Sequence, residues 1–97
     1  MHDESCDARS FAQVCTEFKD VPANASWQPI CAGTSLNGQR GVYADNTVCS
    51  RVDMLGGCQT IKSDGSKATV WMYKSSSFPD ADAAKQVCVS GQTFVAP

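Results

Sequence analysis

The sequence has one histidine, no Cys-x-x-Cys pair, no Gly-x-Ser-x-Gly and no glycine-rich phosphate-binding loop. Each absence removes a class of chemistry. Without a second imidazole, a mixed Cys/His metal site has no partner for His2, and a Cys/His or Ser/His nucleophile has no base. Without Cys-x-x-Cys, neither a thioredoxin-type redox pair nor a zinc ribbon is indicated. No stretch approaches the roughly 18 uninterrupted apolar residues that a membrane-spanning helix needs. Positive charge is also scarce: eight Lys and Arg face ten Asp and Glu, for a net charge of -2. Phosphate neutralisation supplies most of the affinity of a nucleic-acid binder, so the lack of a basic stripe argues against that class. Charged residues make up 19% of the chain and apolar residues 42%. That balance fits a packed domain better than a disordered one.

What the chain has is cysteine. Six occur in 97 residues, at Cys6, Cys15, Cys31, Cys49, Cys58 and Cys88. An even count without metal-ligand spacing reads as three disulfides, and disulfides persist in oxidising compartments: secreted, periplasmic or cell-surface. A domain this small buries a limited share of its surface, so such staples carry much of its stability. Residues 1–10 are polar and acidic, unlike a signal peptide. The expectation is a mature exported chain, with Met1 an added initiator and any lipid-anchoring cysteine lost. A single disulfide-stapled domain over residues 1–97 is expected, with residues 1–5 mobile.

Residues 12–19 alternate, with Val14, Thr16 and Phe18 on one side and Cys15 and Glu17 on the other, as in a half-buried strand. Ser26 is placed to cap a short helix over 27–32, which Gly33 ends. Residues 34–41 read as a loop around Asn37-Gly38, and a short strand is expected within 42–49. Gly56-Gly57 is read as the end of an ambiguous segment. The strongest signal is a hairpin, 57–62 and 67–74, about Asp64-Gly65. A two-residue turn there would set Cys58 opposite Trp71 and Thr60 opposite Thr69. Asp80 can cap a helix reaching Cys88 or Val89, Gly91 stops it, and 92–95 closes as a strand. The fold class expected is α+β: a small antiparallel sheet centred on the 57–74 hairpin, two short helices on one face, three disulfides.

Six cysteines allow fifteen pairings. Cys15-Thr16-Glu17-Phe18 is echoed by Cys58-Gln59-Thr60-Ile61, and Gln28-Pro29-Ile30-Cys31 by Lys85-Gln86-Val87-Cys88. This weak internal likeness favours Cys58–Cys88 and Cys15–Cys31, leaving Cys6–Cys49. The rival is Cys6–Cys15 with Cys31–Cys49. With the two-residue turn, a Cys58–Cys88 bridge puts the last helix over Trp71 and Tyr73. Ile61, Val70 and Met72 then lie on the other sheet face, either covered by the N-terminal half or exposed as a partner surface that Phe18 would extend.

Asp80 and Asp82 can be imagined as an acid/base pair, but acids at a helix start are ordinarily capping and dipole partners. They also lack the remaining ligands of a calcium loop. Asn24-Ala25-Ser26 is a glycosylation sequon, meaningful only in a eukaryotic secretory route. No metal, cofactor or catalytic set is expected.

Cys6-Asp7-Ala8-Arg9, Cys15-Thr16-Glu17-Phe18, Leu55-Gly56-Gly57-Cys58 and Val70-Trp71-Met72-Tyr73 carry a resemblance. So do Phe78, Ala81 through Cys88, and Ser90-Gly91-Gln92-Thr93-Phe94. Together they resemble small six-cysteine proteins exported by predatory and related Gram-negative bacteria, many of them similar to outer-membrane lipoproteins. The resemblance implies an exported domain tethered by lipid and brings no catalytic residues with it. The functional expectation is a non-catalytic module that binds a protein or cell-envelope component, reaching a membrane only through a lost lipid anchor. The alternative is a secreted effector, toxin-like protein or inhibitor, with residues 34–41 as its exposed loop.

Overall fold

The computed structural model describes the backbone of residues 1–33, 35–36 and 38–97, and their side chains except those of Phe11, Ala32, Ser35 and Leu36. The elements in chain order are β1 (His2–Asp7), α1 (Arg9–Ala12), β2 (Val14–Val21), α2 (Gln28–Gly33), β3 (Ser35–Leu36), β4 (Gln39–Arg40), β5 (Val42–Asp45), β6 (Met54–Ile61), β7 (Lys67–Tyr73), α3 (Ala81–Gln86) and β8 (Thr93–Val95). Six strands form one antiparallel sheet in the order β5-β1-β2-β7-β6-β8, and β3 pairs with β4 apart from it. The sheet dominates, so the protein is mostly β, with short helices packed on it. Of the residues 1–5 expected to be mobile, 2–5 lie in β1, an inner strand in which Glu4 and Ser5 are buried, and Met1 stands exposed before it.

Register explains the architecture. Directly opposed residues in neighbouring strands share a face, and successive residues alternate. One row crosses all six strands: Tyr43, Cys6, Thr16, Val70, Cys58, Phe94. The adjacent row, on the opposite face, is Val42, Asp7, Cys15, Trp71, Gly57, Val95. Cys6 and Cys58 thus point one way and Cys15 points the other.

The bridges follow that division. Cys6 bonds to Cys31 in α2, and Cys58 to Cys88 just beyond α3. Both helices are therefore stapled to the same face. Cys15 bonds to Cys49, drawing residues 46–53 across the opposite face. The expected Cys15–Cys31 and Cys6–Cys49 pairs are corrected, and so is the rival Cys6–Cys15 with Cys31–Cys49. On the alternation of β2, Cys15 faces away from Phe18. Trp27, which leads into α2, stacks on Phe18 with ring centroids 4.7 Å apart. A helix on the Phe18 side cannot bring Cys31 to Cys15. Three intramolecular disulfides suggest an oxidising extracellular or periplasmic compartment.

The hairpin turn is one residue longer than expected. The Gly65 amide donates to the Lys62 carbonyl, and the Lys62 amide to the Ser66 carbonyl. Gly65 has φ 89° and Asp64 is not in the left-handed region. This is a three-residue loop, a turn followed by a left-handed glycine. A two-residue turn needs positive φ at both Asp64 and Gly65. The Asp64 carboxylate instead accepts from the Ser66 amide (2.8 Å) and hydroxyl (2.6 Å), holding the aspartate in an ordinary turn. Cys58 consequently opposes Val70, not Trp71, and Thr60 opposes Ala68, not Thr69. A one-residue slip exchanges the faces. The helix bonded through Cys58 covers Val70 and Met72, and Trp71 and Tyr73 lie beneath residues 46–53.

Gly56-Gly57 also behaves differently. It lies inside β6, where aromatic rings take the space that side chains would fill. A Cβ on Gly56 would collide with the Phe94 ring, and one on Gly57 would come within 2.8 Å of the Trp71 indole.

Candidate functional site

On the helix face, α3 starts from Asp80, whose carboxylate accepts from the Ala83 amide at 2.9 Å. Ala84 is fully buried and packs in one cluster with Met72 and Cys58. After α3 the chain returns through Cys88 to β8. The Gln92 side chain ties this return in place, accepting from the Val89 amide (3.0 Å) and donating to the Thr60 hydroxyl (3.3 Å). A groove of about 290 Å³ remains between the returning segment and the sheet, lined by Cys58, Val70, Met72, Val87, Val89 and Gln92. Its floor is strand and its rim is exposed valine: Val87 is 49% and Val89 66% exposed.

The four residues expected as a partner surface do not form one patch. Met72 is 1% exposed and belongs to the groove floor. Val70 is half-buried beside it. Phe18 is buried under Trp27 in another core cluster. Ile61 is 68% exposed on the opposite face. Phe18 and Ile61 are therefore corrected out of the site, and Val87 and Val89 join it. The sequence carries the last helix on to Cys88 or Val89, so both valines are read as helical. Nothing in its pattern shows that α3 ends at Gln86 and frees the two valines.

The other end of the helix face is polar. Glu4 has no exposed surface. Its carboxylate accepts from the Tyr43 hydroxyl, from Ser26 Oγ at 2.8 Å and from the Trp27 amide at 3.1 Å, and His2 Nε2 lies 3.3 Å away. Burial alone raises such a carboxyl. The donors, Tyr43 foremost, and the His2 charge outweigh it and hold Glu4 below its ordinary range. Ser26 also accepts from the Gln28 amide at the start of α2 (3.1 Å). The Ser26 hydroxyl thus links the Glu4 carboxylate to the first amide of α2. The cluster anchors β1, β5 and the entry to α2 on one charge.

The opposite face is closed by residues 46–53. Glu17 accepts from the Cys49 amide (2.9 Å) and from Arg51 (2.7 Å), and the Arg51 guanidinium lies 5.0 Å from the centre of the Trp71 ring. Tyr73 donates to the Ser50 carbonyl at 2.6 Å. At the edge, Arg9 grips Asp7 through two nitrogens and lies 5.2 Å from the Tyr73 ring centre. The Arg9 guanidinium holds the Asp7 carboxyl below its usual value.

Among the described residues there is no cluster of three or more His, Cys, Asp or Glu that could hold a metal ion. None of their helices is long and apolar enough to cross a membrane. Of the loop expected over 34–41, Thr34 and Asn37 lie outside the described residues. Comparison with protein-family models, curated proteins and solved structures finds no match in any of the three.

Proposed function

We propose that the chain is a non-catalytic, disulfide-stapled binding module, secreted, periplasmic or at an outer-membrane surface. Its groove beside α3 receives an apolar segment of a protein or cell-envelope component. The observation that carries this reading is the groove: two exposed valines over a floor of buried strand residues, fixed by Cys58–Cys88 and Gln92. A preformed apolar recess costs little ordering on binding. The resemblance to exported six-cysteine domains supports the same compartment.

The test compares immobilised wild type with the Val87→Asp/Val89→Asp variant in a pull-down from envelope extract. Both substituted positions are exposed and outside regular structure, so melting temperatures should agree. The wild type is expected to retain a component that the variant loses. The reading fails if both retain the same material or neither retains any.

A further inference from the structure

The three bridges differ in how they can be reached. Cys6, Cys15, Cys31, Cys49 and Cys58 are buried, and Cys88 alone is only partly buried. Gly41 packs directly on Cys6–Cys31: a Cβ there would come within 2.7 Å of Cys6 Sγ and 3.0 Å of Cys31 Sγ. Cys15–Cys49 lies in the core cluster of Trp71 and Tyr73, and the Cys49 amide is held by Glu17. Cys88 instead follows α3 outside regular structure, between the exposed Val87 and Val89, and its partner Cys58 borders the groove. Thiol–disulfide exchange requires a thiolate to reach one sulfur of the bridge, so access decides which bridge reacts.

The same bridge is placed so that opening it has a confined effect. Its loss leaves the β6–β8 ladder, the Asp80 cap and the packing of Ala84 against Met72 in place. The Gln92 side chain still ties the returning segment to Thr60. What goes is the covalent tie that holds the rim, at Cys88, to the floor, at Cys58.

We propose that Cys58–Cys88 is a site of thiol–disulfide exchange with a dithiol reductant, and that its opening releases the rim of the groove. One thiolate of the reductant attacks Cys88 Sγ. The bond between the sulfurs breaks, and Cys58 leaves with the electron pair and takes a proton from solvent. The second thiolate then attacks the reductant's sulfur in the mixed disulfide, closes the reductant's own disulfide and expels Cys88, which is protonated in turn. The bridge is reduced to two thiols as the dithiol is oxidised to a disulfide. An oxidising compartment keeps the bridge closed until such a dithiol is brought to it. Losing a preformed recess weakens the hold on any segment bound there. That consequence rests on the groove reading above, whereas the exchange does not.

The test treats the native protein with dithiothreitol, traps free thiols with iodoacetamide and maps them by peptide mass spectrometry. The buried bridges wait on local opening of the fold, so Cys58 and Cys88 should be alkylated about tenfold faster than the other four cysteines, or more. With reduced glutathione, a monothiol, the mixed disulfide should form on Cys88 and leave Cys58 free. Amide exchange over 85–92 should quicken in the selectively reduced protein, while tryptophan emission stays that of the oxidised form. Val87→Asp/Val89→Asp should be reduced in the same order. In the envelope pull-down, the selectively reduced protein should lose the component that the oxidised form retains. If the oxidised form retains nothing, the groove reading fails, and the order of alkylation still decides the exchange. Reduction of all three bridges together, or of either other bridge first, overturns the proposal. So does glutathione on Cys58, or unchanged amide exchange over 85–92 after selective reduction.

Discussion

The two ends of the helix face are built on one plan and differ in outcome. At each end a strand cysteine in the shared row, Cys6 or Cys58, fixes a six-residue helix segment through a disulfide. At the first end the space beneath is filled: Trp27 covers Phe18, and the Glu4 carboxylate takes up the donors of Ser26, Tyr43 and the Trp27 amide. At the second end the helix stops at Gln86, and Val87 and Val89 stand over a recess. Similar staples thus give one sealed end and one open end. What separates them is what lies over the sheet there: Trp27 stacked on Phe18 at the first end, and exposed Val87 and Val89 beside a groove at the second.

Glu4→Ala should give a loss as large as that of a disulfide. It leaves the Tyr43 and Ser26 hydroxyls and the Trp27 amide without their acceptor, which costs on the order of 3 kcal/mol or more. Melting should fall by about 12 °C or more, at roughly 4–8 °C per kcal/mol for a domain of this size. If Glu4→Ala melts like wild type, the sealed end is not held by this charge.

Removing the bridges comes next. Their sequence separations are 25, 34 and 30 residues, so the chain-entropy model assigns each about 3–4 kcal/mol. The location of the damage should differ. Cys15→Ser/Cys49→Ser frees the segment over Trp71 and should shift tryptophan emission to the red. Cys58→Ser/Cys88→Ser should leave emission near wild type and loosen only the open end. The same shift from both would contradict the division of faces.

The pH dependence is smaller and has a definite sign. Glu4 titrates below its ordinary value of 4.5 in the folded protein, so the unfolded chain takes up the proton first. Its contribution is fully present above 4.5 and is lost as pH falls through the lower folded value. Asp7, held down by Arg9, adds a weaker loss below its ordinary 3.8. Melting measured from neutrality into acid should fall in this window, and Glu4→Gln should flatten the Glu4 part of the curve. A curve unchanged by Glu4→Gln would show that the sealed end does not set acid stability.

The smallest effect is expected at the open end. Val89→Asp alone should change stability by less than about 0.5 kcal/mol, the usual range for exposed positions. A large loss of stability would mean that the recess is closed in solution.

Much of this was legible in the sequence. The alternation across Val14 to Phe18 gave β2 with its faces in the correct order, and Ser26 and Asp80 marked two helix starts. β1 was missed because a polar, acidic segment carries no strand pattern. Glu4 and Ser5 are buried there by tertiary hydrogen bonding and not by hydrophobicity. The glycine pair misled for a related reason. A glycine usually ends a strand, but Gly56 and Gly57 sit inside one because Phe94 and Trp71 cover them. The expected surface dissolved because it depended on a register that the Asp64 carboxylate shifts by one residue.

By itself the sequence determined composition-level matters: an oxidising compartment, a disulfide-stapled domain, several strands and two capped helices. These follow from residue type and local spacing. Which face each cysteine serves was decided only in the tertiary structure. A strand repeats every two residues, so one extra turn residue exchanges buried for exposed along its whole length. That exchange put Trp71 under the 46–53 segment and left Val87 and Val89 around an open groove.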